Sequence, residues 1–495
     1  MGAGELGEGG GLVIDKREII DAASALGLNP HVVEKDYVLG WLLWGIHGHD
    51  ALRESWIFKG GTCLKKCFFE TYRFSEDLDF TLTDPAHIDA AFLEGVFAEI
   101  GERVYEETGI ELPPDAQQFE IYQNPRGQPS CQGRIGYRGP VSPRGKNMPR
   151  IKLDLTADEC VVLPAARSPV FHPYSDGPAG GIAVYSYAYE EAFGEKVRAL
   201  AERARPRDLY DVINLFRNAE ARPAAAVLRD VLGQKCAYKG IDIPVFADME
   251  LHRADLEGGW HTMLAHQLPA LPPIETFWEA LPAFFAWLEG GAAPQVPAAF
   301  AGAAGEELIR EHTQRLPVSG AVRSHLEIIR FAASNRLCVE LDYQGSTRRI
   351  EPYSLRRTLD GNIILHAHNV DRNEHRSYRV DRIQGARVTA QSFTPRFAIE
   401  LTPKGPVMIA PTTTGGSSRS PGFSGMTTRG RPARPRRVRT ARSFGFSNGP
   451  TYVYECSYCG KRFNRKKQTT RLNPHKDKSG YPCAGRYAYL VDTRY

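Results

Sequence analysis

Phe58-Lys59-Gly60-Gly61-Thr62 and, after ten intervening residues, Arg73-Phe74-Ser75-Glu76-Asp77-Leu78-Asp79-Phe80 decide the fold. Trp56-Ile57-Phe58 reads as a short buried strand that ends in the Gly-Gly-Thr turn, and residues 78–82 alternate apolar and polar as a second strand, with room for a helix between. A Gly-Gly-Thr turn opening a helix lets backbone N–H groups approach a phosphate closely. Asp77 and Asp79, two apart on a strand, share one face. Asp154, on the alternating strand 151–156 that also carries Lys152, supplies a third carboxylate, and three carboxylates suit one or two Mg²⁺ ions bridged to substrate phosphates.

Outward from this centre, residues 16–25 and 32–47 carry helical apolar spacing punctuated by Asn29-Pro30, residues 87–108 read as helix, and 117–138 as extended chain. Residues 189–204, 209–218 and 277–288 are again helical. The expected fold class is α+β: a mixed sheet with a helical C-terminal part over 16–290, preceded by a flexible leader, 1–15.

The Gly-Gly-Thr and Asp-x-Asp elements, in this order and with a later third carboxylate, resemble the DNA polymerase beta-type nucleotidyltransferase fold. Val33-Glu34-Lys35-Asp36-Tyr37, the Arg73 to Phe80 string, Glu195-Lys196-Val197-Arg198 and Arg207-Asp208-Leu209-Tyr210-Asp211 narrow the resemblance to the AbiEii/AbiGii toxin family. That resemblance implies nucleotide binding by Lys59, Gly60, Gly61, Thr62 and Ser75, metal binding by Asp77, Asp79 and Asp154, and a need for Lys196 with Asp208 and Asp211. Thr62 stands where Ser is common, and 14 residues separate it from Asp77, more than is usual in the family. Arg198 and Arg203 read as a solvated face.

Residues 291–322, rich at first in Ala, Gly and Pro, read as a linker. Residues 323–391 follow with a helix and short strands divided by Gln344-Gly345 and Asp360-Gly361, and they resemble a small, β-barrel-like WYL domain through Val339-Glu340-Leu341-Asp342-Tyr343, Glu351-Pro352-Tyr353 and Arg376 to Ile383. The namesake Trp-Tyr-Leu is Ile363-Ile364-Leu365 here. Arg376, Arg379 and Arg382 either contact nucleic-acid phosphates or are simply exposed on a structural barrel.

The net charge of +4 hides an asymmetry: residues 412–495 hold 18 Lys and Arg against 3 Asp and Glu. Residues 392–447 read as a disordered linker whose Arg436 and Arg437 belong to a run of eight arginines without an acid. In 448–495, Cys456-x2-Cys459-x15-His475-x7-Cys483 is a closed tetrahedral zinc set, a structural Zn²⁺ site. Lys461, Arg462, Arg465, Lys466 and Lys467 beside it, interleaved with aromatics, suit nucleic acid. No run of 18 apolar residues occurs and the remaining cysteines are scattered singly, so the expectation is a cytoplasmic protein with no membrane partner. The expected activity is Mg²⁺-dependent transfer of NMP from an NTP to RNA, including tRNA ends, or to protein, in a toxin-antitoxin or phage-defence setting with a cognate antitoxin. The competing expectation is a nucleic-acid-binding regulator built on an inactive transferase scaffold.

Overall fold

The structure is a computed structural model that describes residues 14–69, 72–142 and 148–402, and, near the C-terminus, 451–456, 459, 461–465, 472–477, 482–483 and 488–494. The chain divides into two units, Met1–Thr413 and Thr414–Tyr495. Of the expected leader, residues 1–13 lie outside the described residues; of the Arg-rich linker, 403–447 do.

Two helices open the first unit, α1 (Lys16–Leu26) and α2 (Pro30–Gly48). Asp15 caps α1 by accepting from the Arg17 amide, and Gly27 ends it at φ 68°, where a side chain would be strained. Asn29 caps α2, and Pro30 sits in its first turn, where no amide is missed. α2 is buried along most of its length, Glu34 and Asp36 included, as befits a helix at the centre of a core.

Then follow β1 (Trp56–Lys59), the short α3 (Gly60–Cys63) that widens into a π turn over Leu64–Phe68, β2 (Asp77–Leu82) and α4 (Ala90–Thr108). β3 (Gln117–Gln123) and β4 (Pro129–Gly136) form a hairpin, succeeded by β5 (Arg150–Thr156), β6 (Ala166–Val170) and β7 (Ile182–Ser186). The seven strands order as β3-β4-β5-β2-β1-β7-β6. Pairs β2/β5 and β1/β7 are parallel and the others antiparallel, so the sheet is mixed as expected.

Alternation gives this sheet two different faces. Trp56, Phe58, Leu78, Phe80, Leu153 and Leu155 pack into a core with α2 and α4. Ile57 turns the other way, toward the helices α5 (Tyr189–Arg203), α6 (Pro206–Arg217), α7 (Ala225–Lys239), α8 (Phe246–Glu250), α9 (Arg253–Leu264), α10 (Ile274–Trp278) and α11 (Leu281–Leu288).

The second hydrophobic core does not stop at residue 290. It runs from Phe193, Ile213, Phe284 and Trp287 into Leu326, Ile329, Leu341, Ile350 and Leu365. The expected linker 291–322 contains β8 (Glu307–Leu308), paired with Arg356 and Arg357, and its last residues begin α12 (Gly320–Ser334). β9 (Leu337–Tyr343), β10 (Ser346–Arg357), β11 (Ile363–Asn369), β12 (Glu374–Arg379) and β13 (Ile383–Ser392) order as β12-β11-β10-β9-β13. Ala398 and Glu400 then donate their amides to Ala298 and Tyr353, extending the packed chain beyond 391.

The second unit has β14 (Thr451–Cys456) between β15 (Arg462–Arg465) and β18 (Ala488–Arg494), with β16 (His475–Lys476) paired to β17 (Pro482–Cys483). Its buried apolar residues among the described ones are Val453, Tyr454, Cys456, Leu472 and Cys483. No helix of the described residues is long and apolar enough to cross a membrane.

The core shared by the helical part over 189–288 and the sheet of 323–391 makes those two parts cooperative. Leu341→Ala should cost about 2–5 kcal/mol through lost burial and the cavity left behind. Hydrogen exchange monitored by mass spectrometry should then show faster opening in α6 and α11 as well as in β9; acceleration confined to 323–391 would mean that the two parts open independently.

Candidate active site and metal centre

Strand register assembles the site. β2 and β5 place Asp79 opposite Asp154 and Asp77 opposite Lys152; β1 brings Lys59 opposite Asp79, and β4 adds Gln132 and Arg134 opposite Asp154 and Lys152. One row across the helix-facing side of the sheet therefore reads Lys59, Asp79, Asp154, Gln132, and the next Asp77, Lys152, Arg134. Lys152 Nζ lies 3.0 Å from Asp154 Oδ2, and Gln132 Nε2 donates to Oδ1 at 3.4 Å.

Burial and mutual repulsion make the ionised form of this row costly. Burial, followed by repulsion from Asp154 and Asp77, pushes Asp79 up to about 6, against the pull of Lys59 and Lys196. Asp77 is raised as well, chiefly by burial, with Lys152 and Arg207 opposing. A divalent cation would relieve this repulsion, so the donor set fits hard-cation chemistry.

Gly60, at φ 82°, is fixed by Asp79: a Cβ there would meet Asp79 Oδ2 at 2.2 Å. Gly61 likewise leaves space for Arg73, whose Nη2 would lie 2.3 Å from an added Cβ. Thr62 is buried, and its hydroxyl donates to the Asp77 carbonyl at 2.5 Å, clamping the turn to β2. Lys59 Nζ stands 3.6 Å from Glu159 Oε1, and Ser75 is buried.

The remaining polar residues form one buried network. Arg73 forks onto Asp211 through Nε at 2.7 Å and Nη2 at 2.8 Å, and Tyr72 donates to the same carboxylate at 2.9 Å. Lys196 Nζ lies 2.7 Å from Asp211 and 3.4 Å from Asp208, and Arg203 forks onto Asp208 at 2.8 and 3.0 Å. Burial works to neutralise both carboxyls, yet Arg73 and Lys196 hold Asp211, and Lys196 and Arg203 hold Asp208, below the usual carboxylate range. Asp208 and Asp211 thus hold Lys196, whose charge acts on Asp79. Arg198 and Arg203 are not the solvated face expected of them: Arg198 is buried among Glu195, Glu202 and Glu159, and Arg203 reaches from the surface to a buried partner.

In the second unit, Cys456, Cys459, His475 and Cys483 each offer a ligand atom within 4.8 Å of all the others. The Cys456 and Cys483 sulfurs are 3.8 Å apart, and Cys459 Sγ is 3.3 Å from His475 Nε2. His475 Nδ1 faces the Asn473 carbonyl at 3.1 Å, a contact that makes Nδ1 the donor and leaves Nε2 as the ligand.

The family model for the nucleotidyl transferase AbiEii toxin of type IV toxin-antitoxin systems matches residues 41–289, half of the chain. The chain belongs to the AbiEii nucleotidyltransferase toxin family. Its enzymatic class is therefore nucleotidyl transfer. A WYL domain model matches residues 324–388, over α12 and β9 to β13. Among solved structures, MenT4, a nucleotidyltransferase toxin from Mycobacterium tuberculosis H37Rv, is 19% identical, with a TM-score of 0.40 over 56% of this chain and 90% of that one. No curated protein matches.

In this AbiEii chain Asp77, Asp79 and Asp154 lie on neighbouring strands β2 and β5, with Lys59 and Gly60 against Asp79. Of the WYL arginines, Arg376 pairs with Glu374 and Arg379 with Asp381, each at 2.7 Å, while Arg382 is exposed. Lys461 donates to the Lys476 carbonyl and Arg462 pairs with Glu455. Arg436, Arg437, Lys466 and Lys467, and the side chain of Arg465, lie outside the described residues. Sequence reasoning missed Arg73 as the anchor of Asp211 and Gln132 as a donor to Asp154; strand alternation in β4 was the available signal for the second.

Two predictions follow from these charges. Asp79 binds its proton more tightly folded than unfolded, so its cost to stability sets in as the pH rises through about 4, grows until about 6 and is level above that. Asp79→Asn should raise stability by about 1–3 kcal/mol at pH 7.5, with the gain shrinking between about pH 6 and 4 and lost below about pH 3 in urea titrations. Asp211→Asn leaves Arg73 and Lys196 short of a buried counter-charge and should cost about 3–5 kcal/mol, read from the same titrations.

Proposed function

We propose that the AbiEii domain transfers a nucleoside monophosphate from an NTP to an RNA acceptor, tRNA ends included, or to a protein, releasing pyrophosphate in a Mg²⁺-dependent reaction. The observation that carries this reading is the register that sets Asp79 against Asp154, with Asp77 beside them, and raises Asp79 to about 6. Asp77, Asp79 and Asp154 would hold Mg²⁺, which would supply charge neutralisation of the triphosphate and a lower pKa for the attacking hydroxyl. The chain's own residues do the rest. Gly60 keeps the turn close against Asp79, leaving the triphosphate a side-chain-free approach. Thr62 holds that turn to β2. Lys59 and Lys196 are the cations nearest in effect to Asp79, and Lys196 is fixed by Asp208 and Asp211 to balance phosphate charge. The acceptor oxygen attacks the α-phosphorus as the bond to the β-phosphate oxygen breaks.

In this reading the protein is a cytoplasmic toxin restrained by a cognate antitoxin, in toxin-antitoxin or phage-defence biology. The Cys456, Cys459, His475 and Cys483 set holds a structural Zn²⁺, its donors being those of closed zinc sites. The basic residues near it, Lys461, Arg462, Arg465, Lys466 and Lys467, with Arg436, Arg437 and the WYL Arg376, Arg379 and Arg382, engage RNA or DNA phosphates.

Purified protein incubated with each α-³²P-labelled NTP, Mg²⁺ and total bacterial RNA should label RNA or protein, and Asp77→Ala/Asp79→Ala should abolish the label. Wild-type label equal to that of the double variant would sink the transferase reading. Elemental analysis should find one zinc per chain, and Cys456→Ser/Cys459→Ser should remove it and unfold the small module, whose core cannot stand unaided.

A further inference from the structure

A cavity of about 880 Å³ lies within the first unit, apart from the carboxylate row. Phe68, Phe69, Tyr72 and Tyr210 line it on the transferase side, and Arg336 and Phe397 on the side of the WYL sheet. This volume lies within the range of small-molecule sites.

Its charge is unusual. Arg217, Arg222 and Arg336 all line the cavity, and none of the three has a carboxylate partner among the described residues. The acids that share the wall are already engaged: Glu220 pairs with Arg310 and Glu400 with Arg356. Arg217 donates through Nη2 to the Thr276 carbonyl and lies 4.7 Å above the Phe277 ring, but its Nε and Nη1 are shut from solvent with no hydrogen-bond partner. Buried guanidinium nitrogens left in this state are costly, and groups of this kind are normally satisfied. Arg222 gives one hydrogen bond to the Phe216 carbonyl and otherwise lies over the Phe216 and Trp287 rings. Arg336 holds its backbone at φ 54°, a conformation disfavoured for a long side chain. Burial, and after it the charge of Arg336, lowers Arg217 well below its usual range, and an anion in the cavity would counter the repulsion between the two arginines.

We infer that this cavity binds a nucleoside monophosphate or a similarly phosphorylated ring compound, as a second site distinct from the triphosphate site. The guanidinium groups take the phosphate, in the planar forked geometry that suits it. The ring stacks on the half-buried aromatic wall of Phe68, Phe69 and Phe397, and the Asn214 amide oxygen and Asn218 amide nitrogen are left for a base edge, their other amide atoms being bonded to the Tyr210 carbonyl and the Ala221 amide.

The test needs no turnover, so it is independent of the transferase reading. Equilibrium dialysis of the full chain with labelled nucleoside monophosphates, without added divalent cation, is compared across wild type, Arg222→Gln, Arg336→Asn and Asp77→Ala/Asp79→Ala. Binding should persist in the carboxylate variant and weaken at least tenfold in each arginine variant, with unchanged melting curves showing that these fold. Arg222→Gln, which keeps a hydrogen-bond donor, decides the matter if Arg336→Asn does not fold. Absence of binding at millimolar nucleotide, or loss in the carboxylate variant alone, would overturn the site. Equal displacement by inorganic phosphate would overturn the role of the ring, and displacement by short oligoribonucleotides alone would overturn the small-molecule assignment.

Discussion

The fork of Arg73 onto Asp211 is the interaction on which the rest of the first unit depends. It spans the loop ahead of β2 and the helix α6, residues 138 apart in sequence, and it is buried at both ends. Asp211 also fixes Lys196, Lys196 meets Asp208, and Asp208 is held by Arg203. A chain of alternating charges therefore locks the helical part over the sheet at the place where Asp79 sits. The 14 residues between Thr62 and Asp77 find their use here, because they deliver Tyr72 and Arg73 to Asp211.

The motif residues outside the carboxylate row have structural work that their chemistry explains. Lys66 is fully buried against Asp36 at 2.7 Å, and Tyr174 donates to the same carboxylate at 3.0 Å. Glu34 accepts from the amides of Val141 and Ser142 and thereby ties down the start of the loop between β4 and β5. Lys35 reaches Glu76, next to Asp77, at 3.0 Å. Part of the family pattern thus encodes the frame around the reaction and not the reaction itself.

What could be read in the sequence was what is local. Strand alternation put Asp77 with Asp79, and Lys152 with Asp154, because a two-residue period is written in adjacent positions. The helix ends at Asn29-Pro30 were legible for the same reason. Register between strands is long-range: nothing near Asp154 says that it lies opposite Asp79. The Ala-, Gly- and Pro-rich start of residues 291–322 forms no helix or strand through 303, yet Glu307 and Leu308 further on are ordered by a partner strand about fifty positions away, which no property of the segment itself announces.

The continuous core bears on how such a protein can change over generations. The two family-matched regions, 41–289 and 324–388, look like separable beads, but Phe284 and Trp287 belong to the same packed interior as Leu326 and Leu341. A recombination breakpoint near residue 300 would join two halves of one interior whose side chains had never been selected together. Descent of this architecture is then best traced through paired changes on both sides of that seam, with the transferase and its companion sheet inherited as one heritable block.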